Sequence, residues 1–449
     1  MAFKKFSLVI SKSIKSFNKS IKVDSDKSIS IRFFLIGSIC QNISCAKNVL
    51  ESEDVFSAIS CLRKLGVKIE KINSGEYKVY GKGLGSLYAN RKSILHFGNS
   101  GTLARLLTGI LTSTPNIKVR LIGDHSLNKR SMKKLIDLMS SFGADFYPKK
   151  KFTFPLIFTS SAIPLGINYN SGVSAQLKSA VILAGLNSFG KTTINEKFFS
   201  RDHTENMLKN NKNLLLTKKN NQTVINVNGK EQLKNLNLKV PGDPSSAAFF
   251  TAITLMSKKS SLLIKNVGLN PKRIGFYKLL KKNGALIKFK NIKKTNNEIV
   301  GDIFVQSSKL KPINASKEYY LNTTDEYPLL FVMASLIKGN SSFVGISDLV
   351  NKESNRIVEM QKILKQIGVR SSFKKGKLTI FGKTILNSSK KRIIVPNLGD
   401  HRICMTAAVL ALSTGISAKI NNFETVRTSS PSFLKTLRYL GGIFEIKKK

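Results

Sequence analysis

A pattern that recurs along the whole length of this 449-residue chain limits its fold more than any other feature. In five places an amphipathic helical run, with Leu or Ile at positions i, i+3 and i+4, is followed by a glycine and then by alternating apolar and polar residues. The helical runs cover residues 58–65, 132–142, 277–283, 357–367 and 433–440, and the glycines are Gly66, Gly143, Gly284, Gly368 and Gly441. Glycine suits the left-handed C-cap of a helix, and the alternation predicts a half-buried strand.

A sixth copy that lacks the glycine is predicted at residues 204–211, followed by apolar strands at 214–216 and 224–227. The six copies then lie about 69 to 84 residues apart, close to one sixth of the chain length. Such self-similarity indicates a fold built by stacking one supersecondary unit. The sequence therefore predicts an α/β protein of six repeats, divided into two lobes of three. A helix, a glycine and a strand also follow one another by chance in any α/β protein, so the pattern alone leaves that alternative open.

The formal net charge of +48 comes from 74 Lys and Arg against 26 Asp and Glu, and it is typical of a nucleic-acid-binding protein. The basic residues are scattered in short tracts, however, with no continuous basic stripe and no RNA-recognition motif. Lys, Asn and Ile are abundant together and share AT-rich codons, so base composition is an alternative cause of the charge. Attraction of small anions into a basic cleft is the other interpretation. With 41% apolar residues, the chain is no disordered polyelectrolyte.

Cysteine usage and hydropathy favour a reducing, aqueous compartment. The four cysteines form no C-x-x-C pair, so we expect buried thiols and no metal site. The first residues lack the apolar segment of a secretory signal. The longest apolar runs, residues 327–337 and 403–412, are shorter than the roughly 20 residues of a membrane-spanning helix. We therefore expect a cytoplasmic protein without a membrane anchor.

Two polar segments at predicted helix starts are candidate anion sites. Residues 26–32 (DKSISIR) open a predicted helix over 33–39, which Ser28 or Ser30 can cap, and backbone N–H groups meet two cations there. Residues 98–105 (GNSGTLAR) run into a second helix, and their glycines let backbone amides approach a ligand closely. Each segment taken alone is equally a solvated helix start.

Two further polar segments lie in the middle of the chain. Residues 174–179 (SAQLKS) open an apolar helix over 180–186 with hydroxyl and amide groups that suit a polyhydroxylated ligand, although helix capping explains the serines equally well. Residues 200–205 (SRDHTE) contain His203. We expect this lone histidine to be a hydrogen-bonded structural residue rather than a catalyst.

Acidic and basic residues come together in the last third of a chain that has few acids. The segments are 325–328 (DEYP), 351–356 (NKESNR) and 400–402 (DHR). Asp325 and Glu353, beside several cations, suggest acid/base groups within an anion-binding site. Surface ion pairs would give the same composition, so each segment alone is weak evidence.

Taken in order, these segments match the motifs of one protein family. Together with Arg130 and residues 240–248 (VPGDPSSAA), they resemble the enolpyruvyl transferases, and among them the EPSP synthases, over essentially the whole chain. The resemblance implies transfer of the enolpyruvyl group of phosphoenolpyruvate to the 5-hydroxyl of shikimate 3-phosphate, with release of phosphate. This reaction belongs to the shikimate pathway, which leads to chorismate and the aromatic amino acids. The resemblance implies neither a cofactor nor a metal.

The family fold agrees with the repeat pattern, because it has two lobes, each of three βαβαββ-type repeats. Carried over, one lobe would be residues 25–243, and the other would be 1–24 together with 244–449. The crossovers near 24–26 and 240–243 would act as hinges. A monomer that binds two small anions, and no specific nucleic acid, is the family expectation.

Matching motif to motif assigns site residues by resemblance. Shikimate 3-phosphate would be held by Lys27, Ser28, Arg32, Ser174, Ala175, Gln176, Ser200, Asp325 and Lys352. Phosphoenolpyruvate would be held by Lys27, Gly101, Arg130, Gln176, Arg356 and Arg402. The catalytic residues would be Asp325 as proton acceptor, Glu353 at the methylene carbon, and Lys27. So many cations are expected, because two phosphates and two carboxylates must meet in one cleft.

Two positions bear on how closely the family pattern applies. Thr428 stands where many members carry Lys, and whether the neighbouring Arg427 substitutes for it is open. Gly101 keeps a glycine whose methyl-bearing replacement accompanies glyphosate tolerance in some members, so we expect sensitivity to glyphosate. The related UDP-N-acetylglucosamine enolpyruvyl transferases normally use a Cys acid in a mobile loop, and residues 121–130 contain none.

Overall fold

A computed structural model describes residues 5–90, 92–219, 222–383 and 392–448. The strands are β1 Phe6–Ile10, β2 Asn18–Lys22, β3 Ile43–Lys47, β4 Ile69–Asn73, β5 Glu76–Tyr80, β6 Ile94–His96, β7 Lys118–Ile122, β8 Asp145–Tyr147, β9 Leu156–Thr159, β10 Asn168–Ser171, β11 Lys191–Glu196, β12 Leu214–Lys219, β13 Gln222–Asn228, β14 Asn237–Lys239, β15 Ser261–Gly268, β16 Leu286–Thr295, β17 Glu298–Gln306, β18 Asn314–Ala315, β19 Gly339–Val344, β20 Arg370–Lys374, β21 Lys377–Gly382, β22 Ile393–Val395, β23 Ala418–Ile420 and β24 Phe444–Lys448. The helices are α1 Lys27–Ile39, α2 Glu53–Lys64, α3 Gly101–Thr112, α4 Lys133–Ser141, α5 Ala175–Gly185, α6 His203–Leu208, α7 Pro244–Met256, α8 Gly275–Lys282, α9 Tyr319–Thr323, α10 Tyr327–Ser335, α11 Arg356–Gln366, α12 His401–Thr414 and α13 Phe433–Tyr439.

The strands form six four-stranded sheets in the described residues, and three of these sheets have the same strand order along the chain. In the sheet β6–β7–β9–β8, α3 links the parallel strands β6 and β7, and α4 leads to β8. The strand β8 turns back into β9, which pairs antiparallel with both β7 and β8. The sheets β10–β11–β13–β12 and β18–β19–β21–β20 repeat this βαβαββ order. The prediction of six α/β repeats is confirmed.

Three sheets include a strand from a distant part of the chain. β14 pairs in parallel with β3, and β2 pairs in parallel with β15. β1 lies between β23 and β24 and is antiparallel to both. The sheets β14–β3–β5–β4, β16–β17–β15–β2 and β22–β23–β1–β24 are therefore complete only when the chain returns to them.

The chain divides into two compact units, which we call domain 1 and domain 2. Domain 1 comprises Met1–Asp24, Pro241–Lys293 and Ile299–Lys449, and domain 2 comprises Ser25–Val240 and Lys294–Glu298. The change of domain after Val240 lies three residues before the end of the predicted lobe 25–243. The turn Lys294–Glu298 between β16 and β17 also falls outside that lobe's predicted range. The hinge role of residues 24–26 and 240–243 stays a prediction.

Each repeat contains two kinds of helix, and only the second kind shows the pattern seen in the sequence. The second helices α2, α4, α8 and α11 are amphipathic, and the five predicted C-cap glycines have positive φ, between 76° and 99°. The first helices, such as α7 and α10, are buried on nearly all of their residues and show little periodicity. These inner helices pack into one hydrophobic core cluster in each domain.

Free thiols and helix lengths bear on the expected compartment. Cys40, Cys61 and Cys404 are buried, and burial raises the pKa of each thiol to about 12. Cys45 is only partly buried, which differs from the expectation of four buried thiols. Among the described helices, none has the length and hydropathy needed to cross a membrane.

The inner helices α3 and α5 of domain 2 approach closely at Gly109. A Cβ atom at this position would lie 2.5 Å from the carbonyl oxygen of Ala180 and 2.9 Å from its Cα atom. Both atoms belong to the backbone of α5, so no side chain can turn away to make room. The glycine therefore sets the distance between the two helices.

We expect Gly109→Ala to lower the free energy of unfolding by about 1–3 kcal/mol, the usual cost of overpacking a core. Alanine is intrinsically the better helix former by about 1 kcal/mol, so a loss of stability would show that the backbone clash outweighs propensity. Urea unfolding monitored by circular dichroism measures the difference. Gly172→Ala is the matched control, because a Cβ atom there would meet no atom within 4 Å. A Gly109→Ala protein as stable as the wild type would contradict the close approach.

Candidate active site

Helix α1 begins earlier than the sequence predicted, and its cap is Asp26 rather than Ser28 or Ser30. The Asp26 carboxylate accepts a hydrogen bond from Ile29 N at 2.9 Å. Asp is as strong an N-cap as Ser, so the first good cap along the segment starts the helix. Ser30 is a buried connector instead: its hydroxyl donates to the Asp26 carbonyl and accepts from Leu50 N at 3.0 Å.

Lys27 and Arg32 therefore lie within the first two turns of α1. The Lys27 ammonium is 2.9 Å from Asp54 Oδ2 on α2, and its side chain is 16% exposed. Ser28 is partly exposed, and its carbonyl accepts from Arg32 Nη1 at 3.0 Å. These contacts place a cation and a hydroxyl together at the positive end of a helix, which favours an anion.

Arg32 is buried and held by two other elements of domain 2. Its Nε atom donates to Thr204 Oγ1 of α6 at 2.8 Å, and its Nη2 atom donates to Ser179 Oγ of α5 at 3.1 Å. The two hydroxyls are themselves joined at 2.8 Å. This network fixes the direction of the guanidinium and ties α1 to the starts of α5 and α6.

Gln176 joins the N-terminal ends of α5 and α3. Its Nε2 atom donates to Thr102 Oγ1 at 2.9 Å, and its Oε1 atom accepts from Arg105 Nη1 at 3.0 Å. Gly101 is the first residue of α3, and a Cβ atom there would lie 2.7 Å from Arg105 Nη1 and 3.3 Å from Arg130 Nη1. Two guanidinium groups thus lie against a glycine at a helix N-terminus, where an anion is stabilised.

The start of α5 carries Ser174, Ala175 and a buried ion cluster. Ser174 is the N-cap, accepting from Leu177 N at 3.4 Å, and Ala175 is the first helical residue. One turn later Lys178 is fully buried, with Nζ 2.6 Å from both Glu196 Oε1 and Glu205 Oε1. Ser200 is also buried and hydrogen-bonds to Glu196 through its backbone N–H and its hydroxyl, both at 3.0 Å.

His203 is a structural residue, as expected. Its Nδ1 atom is 2.7 Å from Glu298 Oε1, and Asn206 Nδ2 donates to the same oxygen at 3.1 Å. Burial alone would raise the pKa of Glu298, but the charge and hydrogen bond of His203 outweigh it, so the pKa lies below its usual value. The contact holds the turn Lys294–Glu298 within domain 2.

In domain 1, three carboxylates cluster around the guanidinium of Arg356, which is 1% exposed. Its Nε atom donates to Asp400 Oδ2 at 2.9 Å and its Nη2 atom to Glu353 Oε2 at 2.6 Å. Its Nη1 atom lies 3.7 Å from Asp325 Oδ1. Burial alone would lower the pKa of Arg356, but the three carboxylates outweigh it and raise the pKa. The cluster therefore holds a permanent cation between two candidate proton carriers.

Arg402 is buried beside this cluster but has fewer partners. Asp400 caps α12 by accepting from Arg402 N at 2.9 Å, while the Arg402 guanidinium lies 5.9 Å from the ring centre of Phe249. Its buried Nη1 atom has no hydrogen-bond partner among the described residues. A buried guanidinium donor without a partner is costly, so this atom is a strong candidate for an anion ligand.

Lys352 is held by an acidic residue that the sequence did not single out. Its Nζ atom is 2.5 Å from Asp348 Oδ2, which also accepts from Tyr320 OH at 2.8 Å.

Arg427 lies 5.8 Å from the ring centre of Phe6, and Thr428 is buried, with its hydroxyl donating a hydrogen bond to Thr425 O. The replacement of the family's lysine by Arg427 remains open, as it was from the sequence.

The structure thus brings the predicted residues into one cluster in each domain. Domain 2 groups Lys27, Ser28, Arg32, Gly101, Arg130, Ser174, Ala175, Gln176 and Ser200 at the N-terminal ends of α1, α3 and α5 and before α6. Domain 1 groups Asp325, Glu353, Arg356 and Arg402 around Asp400, with Lys352 on Asp348. In the described ranges, no group of three or more His, Cys, Asp or Glu side chains could hold a metal ion.

Sequence reasoning missed several residues of these clusters. Asp54, Asp348 and Glu196 lie in segments without a motif, and each contacts a lysine: Asp54 contacts Lys27, Asp348 contacts Lys352, and Glu196 contacts Lys178. Arg105 and Lys178 stood inside quoted segments but received no role. The available signal was charge scarcity: with only 26 acids against 74 basic residues, each acid is a candidate partner for a functional cation.

Known proteins resemble this chain over both of its domains. The sequence profile of EPSP synthase (3-phosphoshikimate 1-carboxyvinyltransferase) matches residues 11–437. A 3-phosphoshikimate 1-carboxyvinyltransferase of Zymomonas mobilis is 36% identical over 98% of this chain and 97% of its own length. One of Petrotoga mobilis is 36% identical over 95% of this chain and 98% of its own.

Solved structures give the same result. The EPSP synthase of Acinetobacter baumannii is 32% identical, with a TM-score of 0.84 over 99% of this chain and 100% of that one. The enolpyruvyl transferase NikO of Streptomyces tendae shares the fold, with a TM-score of 0.75 at 13% identity. From the profile and the near full-length relatives, the chain belongs to the EPSP synthase (3-phosphoshikimate 1-carboxyvinyltransferase) family.

Proposed function

We propose that this chain transfers the enolpyruvyl group of phosphoenolpyruvate to the 5-hydroxyl of shikimate 3-phosphate, with the clustered residues in the roles that their motifs imply. The products are 5-enolpyruvylshikimate 3-phosphate and phosphate. The observation that carries the proposal is the partnerless, buried Nη1 atom of Arg402, which lies beside the Arg356 cluster in a chain whose motifs match the family throughout. An oxygen of a carboxylate or phosphate satisfies such a donor.

Domain 2 supplies groups that suit shikimate 3-phosphate. Lys27, Ser28 and Arg32 would bind its phosphate and ring at the start of α1, and Ser174, Ala175, Gln176 and Ser200 would complete its contacts. Cations and helix N-termini both favour a phosphate, and hydroxyl and amide groups match the ring hydroxyls. Because Arg32 is already fixed by Thr204 and Ser179, little side-chain entropy is lost when it binds.

Phosphoenolpyruvate requires guanidinium groups with a fork geometry, because it carries a carboxylate and a phosphate. By the family motifs, Arg130, Arg356 and Arg402 would supply these guanidinium groups, and Gly101, Lys27 and Gln176 are the other residues assigned to phosphoenolpyruvate. Arg105 is an additional candidate, since it lies against both Gly101 and Gln176.

The proposed reaction needs groups that move protons. Protonation of the methylene carbon makes C2 of phosphoenolpyruvate electrophilic, and the 5-hydroxyl oxygen then bonds to C2 and loses its proton. Departure of phosphate and of one methyl proton restores the double bond. Asp325 would accept the hydroxyl proton, Glu353 would serve the methylene carbon, and Lys27 would stabilise the developing charge.

The direct test is a coupled assay of phosphate release with purified protein. We expect release that requires both shikimate 3-phosphate and phosphoenolpyruvate, and a product whose mass equals the two substrates minus phosphoric acid. Replacing shikimate 3-phosphate by UDP-N-acetylglucosamine should abolish it. Phosphate release from phosphoenolpyruvate with UDP-N-acetylglucosamine, but not with shikimate 3-phosphate, would contradict the assignment and favour the related transferases.

Gly101→Ala should weaken binding of phosphoenolpyruvate and inhibition by glyphosate together. The added Cβ atom would meet Arg105 Nη1 at 2.7 Å and Arg130 Nη1 at 3.3 Å, so both guanidinium groups must shift. Losing one charge-assisted hydrogen bond costs about 1.5–3 kcal/mol, which corresponds to a KM for phosphoenolpyruvate about 10- to 100-fold higher. Steady-state kinetics with each substrate varied in turn measure this, and the KM for shikimate 3-phosphate is the internal control. An unchanged KM for phosphoenolpyruvate would remove Gly101 from its site.

A further inference from the structure

We propose that Glu196 is a positioning residue that orients Ser200 for shikimate 3-phosphate, and that Lys178 keeps Glu196 hydrogen-bonded while the Ser200 hydroxyl turns to the ligand. The inference rests on the proposed function, because it takes Ser200 as a ligand of that substrate. It concerns domain 2 alone. Neither Glu196 nor Lys178 belongs to the residues assigned from the family motifs.

One carboxylate oxygen is the centre of the arrangement. Glu196 Oε1, at the end of β11, accepts from Ser200 N and from Ser200 Oγ, both at 3.0 Å. The same oxygen is 2.6 Å from Lys178 Nζ. All three side chains are buried, at 2% exposure or less. The backbone and the hydroxyl of Ser200 are therefore fixed from one point.

The Ser200 hydroxyl has one proton to donate, and in this structure it donates that proton to Glu196. A phosphate oxygen is only an acceptor, so to bind it the hydroxyl must rotate about its Cα–Cβ bond and donate to the ligand instead. The backbone N–H of Ser200 stays on Glu196 during this change, which keeps the residue in place. The result is a hydroxyl that turns on a fixed backbone.

Lys178 makes that change possible at low cost. A buried carboxylate that loses a hydrogen bond is destabilised unless other donors remain. After the hydroxyl turns away, Glu196 still has the Lys178 ammonium and the Ser200 N–H. Burial alone would lower the pKa of Lys178, but the charges of Glu205 and Glu196 outweigh it and raise the pKa, so the lysine keeps its proton.

The same ion cluster contains a matched comparison. Glu205 Oε1 also lies 2.6 Å from Lys178 Nζ, but no hydrogen bond between Glu205 and Ser200 is among those described. A substitution of Glu205 therefore disturbs the buried ion cluster without touching the positioned hydroxyl. An effect that Glu196→Gln has and Glu205→Gln lacks is then the one to compare with the effect of Ser200→Ala.

The test is a double-substitution cycle with the whole chain, comparing Glu196→Gln, Ser200→Ala and both together. We expect the KM for shikimate 3-phosphate to rise about tenfold for Ser200→Ala, the loss of one hydrogen bond to a charged group, and several-fold for Glu196→Gln. In the Ser200→Ala background, Glu196→Gln should add less than about twofold, because no hydroxyl is left to orient. The KM for phosphoenolpyruvate should change less than about twofold throughout.

Two further variants separate positioning from folding. Glu205→Gln should leave the KM for shikimate 3-phosphate unchanged even if it lowers the unfolding midpoint. Glu196→Asp keeps the charge for Lys178 but draws the oxygens back from Ser200, so it should raise that KM even if Glu196→Gln fails to fold. Multiplicative effects in the cycle, an equal effect of Glu205→Gln, or a wild-type KM in Glu196→Asp would each overturn the inference. A wild-type chain without phosphate release would instead overturn the proposed function.

Discussion

Asp325→Ala is expected to lower kcat by about 10²–10⁴-fold, the usual contribution of a positioned general acid or base. Asp325 precedes α10, its side chain is 24% exposed, and its Oδ1 atom lies 3.7 Å from Arg356 Nη1. It is therefore accessible to a substrate proton while a fixed cation stabilises its charged form. In the proposed mechanism, removing the carboxylate leaves the 5-hydroxyl proton without an acceptor in the transition state.

Folding should largely survive this change, which makes the kinetic result interpretable. Arg356 keeps Asp400 and Glu353 as partners, and a partly exposed ion pair contributes only about 1 kcal/mol or less.

Steady-state kinetics, with urea unfolding of the same samples, measure the effects on kcat and on stability. Asp325→Asn should match Asp325→Ala in kcat, because an amide has the shape of the carboxylate but accepts no proton. Asp137→Ala is the control: it removes an exposed carboxylate paired with Lys133, and we expect wild-type kcat. Near-normal turnover of Asp325→Ala would remove Asp325 from the role of proton acceptor.

The repeat pattern was readable because it depends on local chemistry. A glycine at positive φ ends the outer helix of five repeats, and an alternating strand follows, so each copy can be recognised from adjacent residues. Pairing between distant strands has no such local signal. Nothing within β1, β2 or β14 predicts that β1 lies between β23 and β24, or that β14 pairs with β3.

The same distinction between local and distant residues applies to the candidate site. Segments such as residues 26–32 and 351–356 concentrate polar groups, and they were found as clusters. The acidic partners of the site lysines were not found, because they lie far away in the sequence. Asp54 lies 27 residues after Lys27, and Glu196 lies 18 residues after Lys178. A single carboxylate carries no pattern, and only folding brings it to its cation. The start of α1 was misplaced for a different reason: residues 26–30 offer three capping side chains, and sequence alone does not rank them.

Arg356 and Arg402, two buried arginines of domain 1, should separate stability from binding. Arg356→Met leaves the fully buried Asp400 and the partly buried Glu353 without their cation, and breaking such a buried pair costs about 3–5 kcal/mol. Arg402→Met removes a guanidinium whose buried Nη1 atom has no hydrogen-bond partner among the described residues. Methionine can still cover Phe249, so we expect a free energy of unfolding within about 1 kcal/mol of the wild type.

Binding of phosphoenolpyruvate should nevertheless depend strongly on Arg402. Arg402→Met removes donors that we assign to phosphoenolpyruvate, and two charge-assisted hydrogen bonds at about 1.5–3 kcal/mol each correspond to a KM at least about 100-fold higher. The KM for shikimate 3-phosphate should change only a few-fold. Urea unfolding and kinetics with each substrate varied in turn measure both quantities, and Arg370→Met, at an exposed arginine on Phe381, should change neither. If Arg402→Met unfolds as easily as Arg356→Met and binds phosphoenolpyruvate normally, then Arg402 serves the fold, and the observation that carries the proposed function is lost.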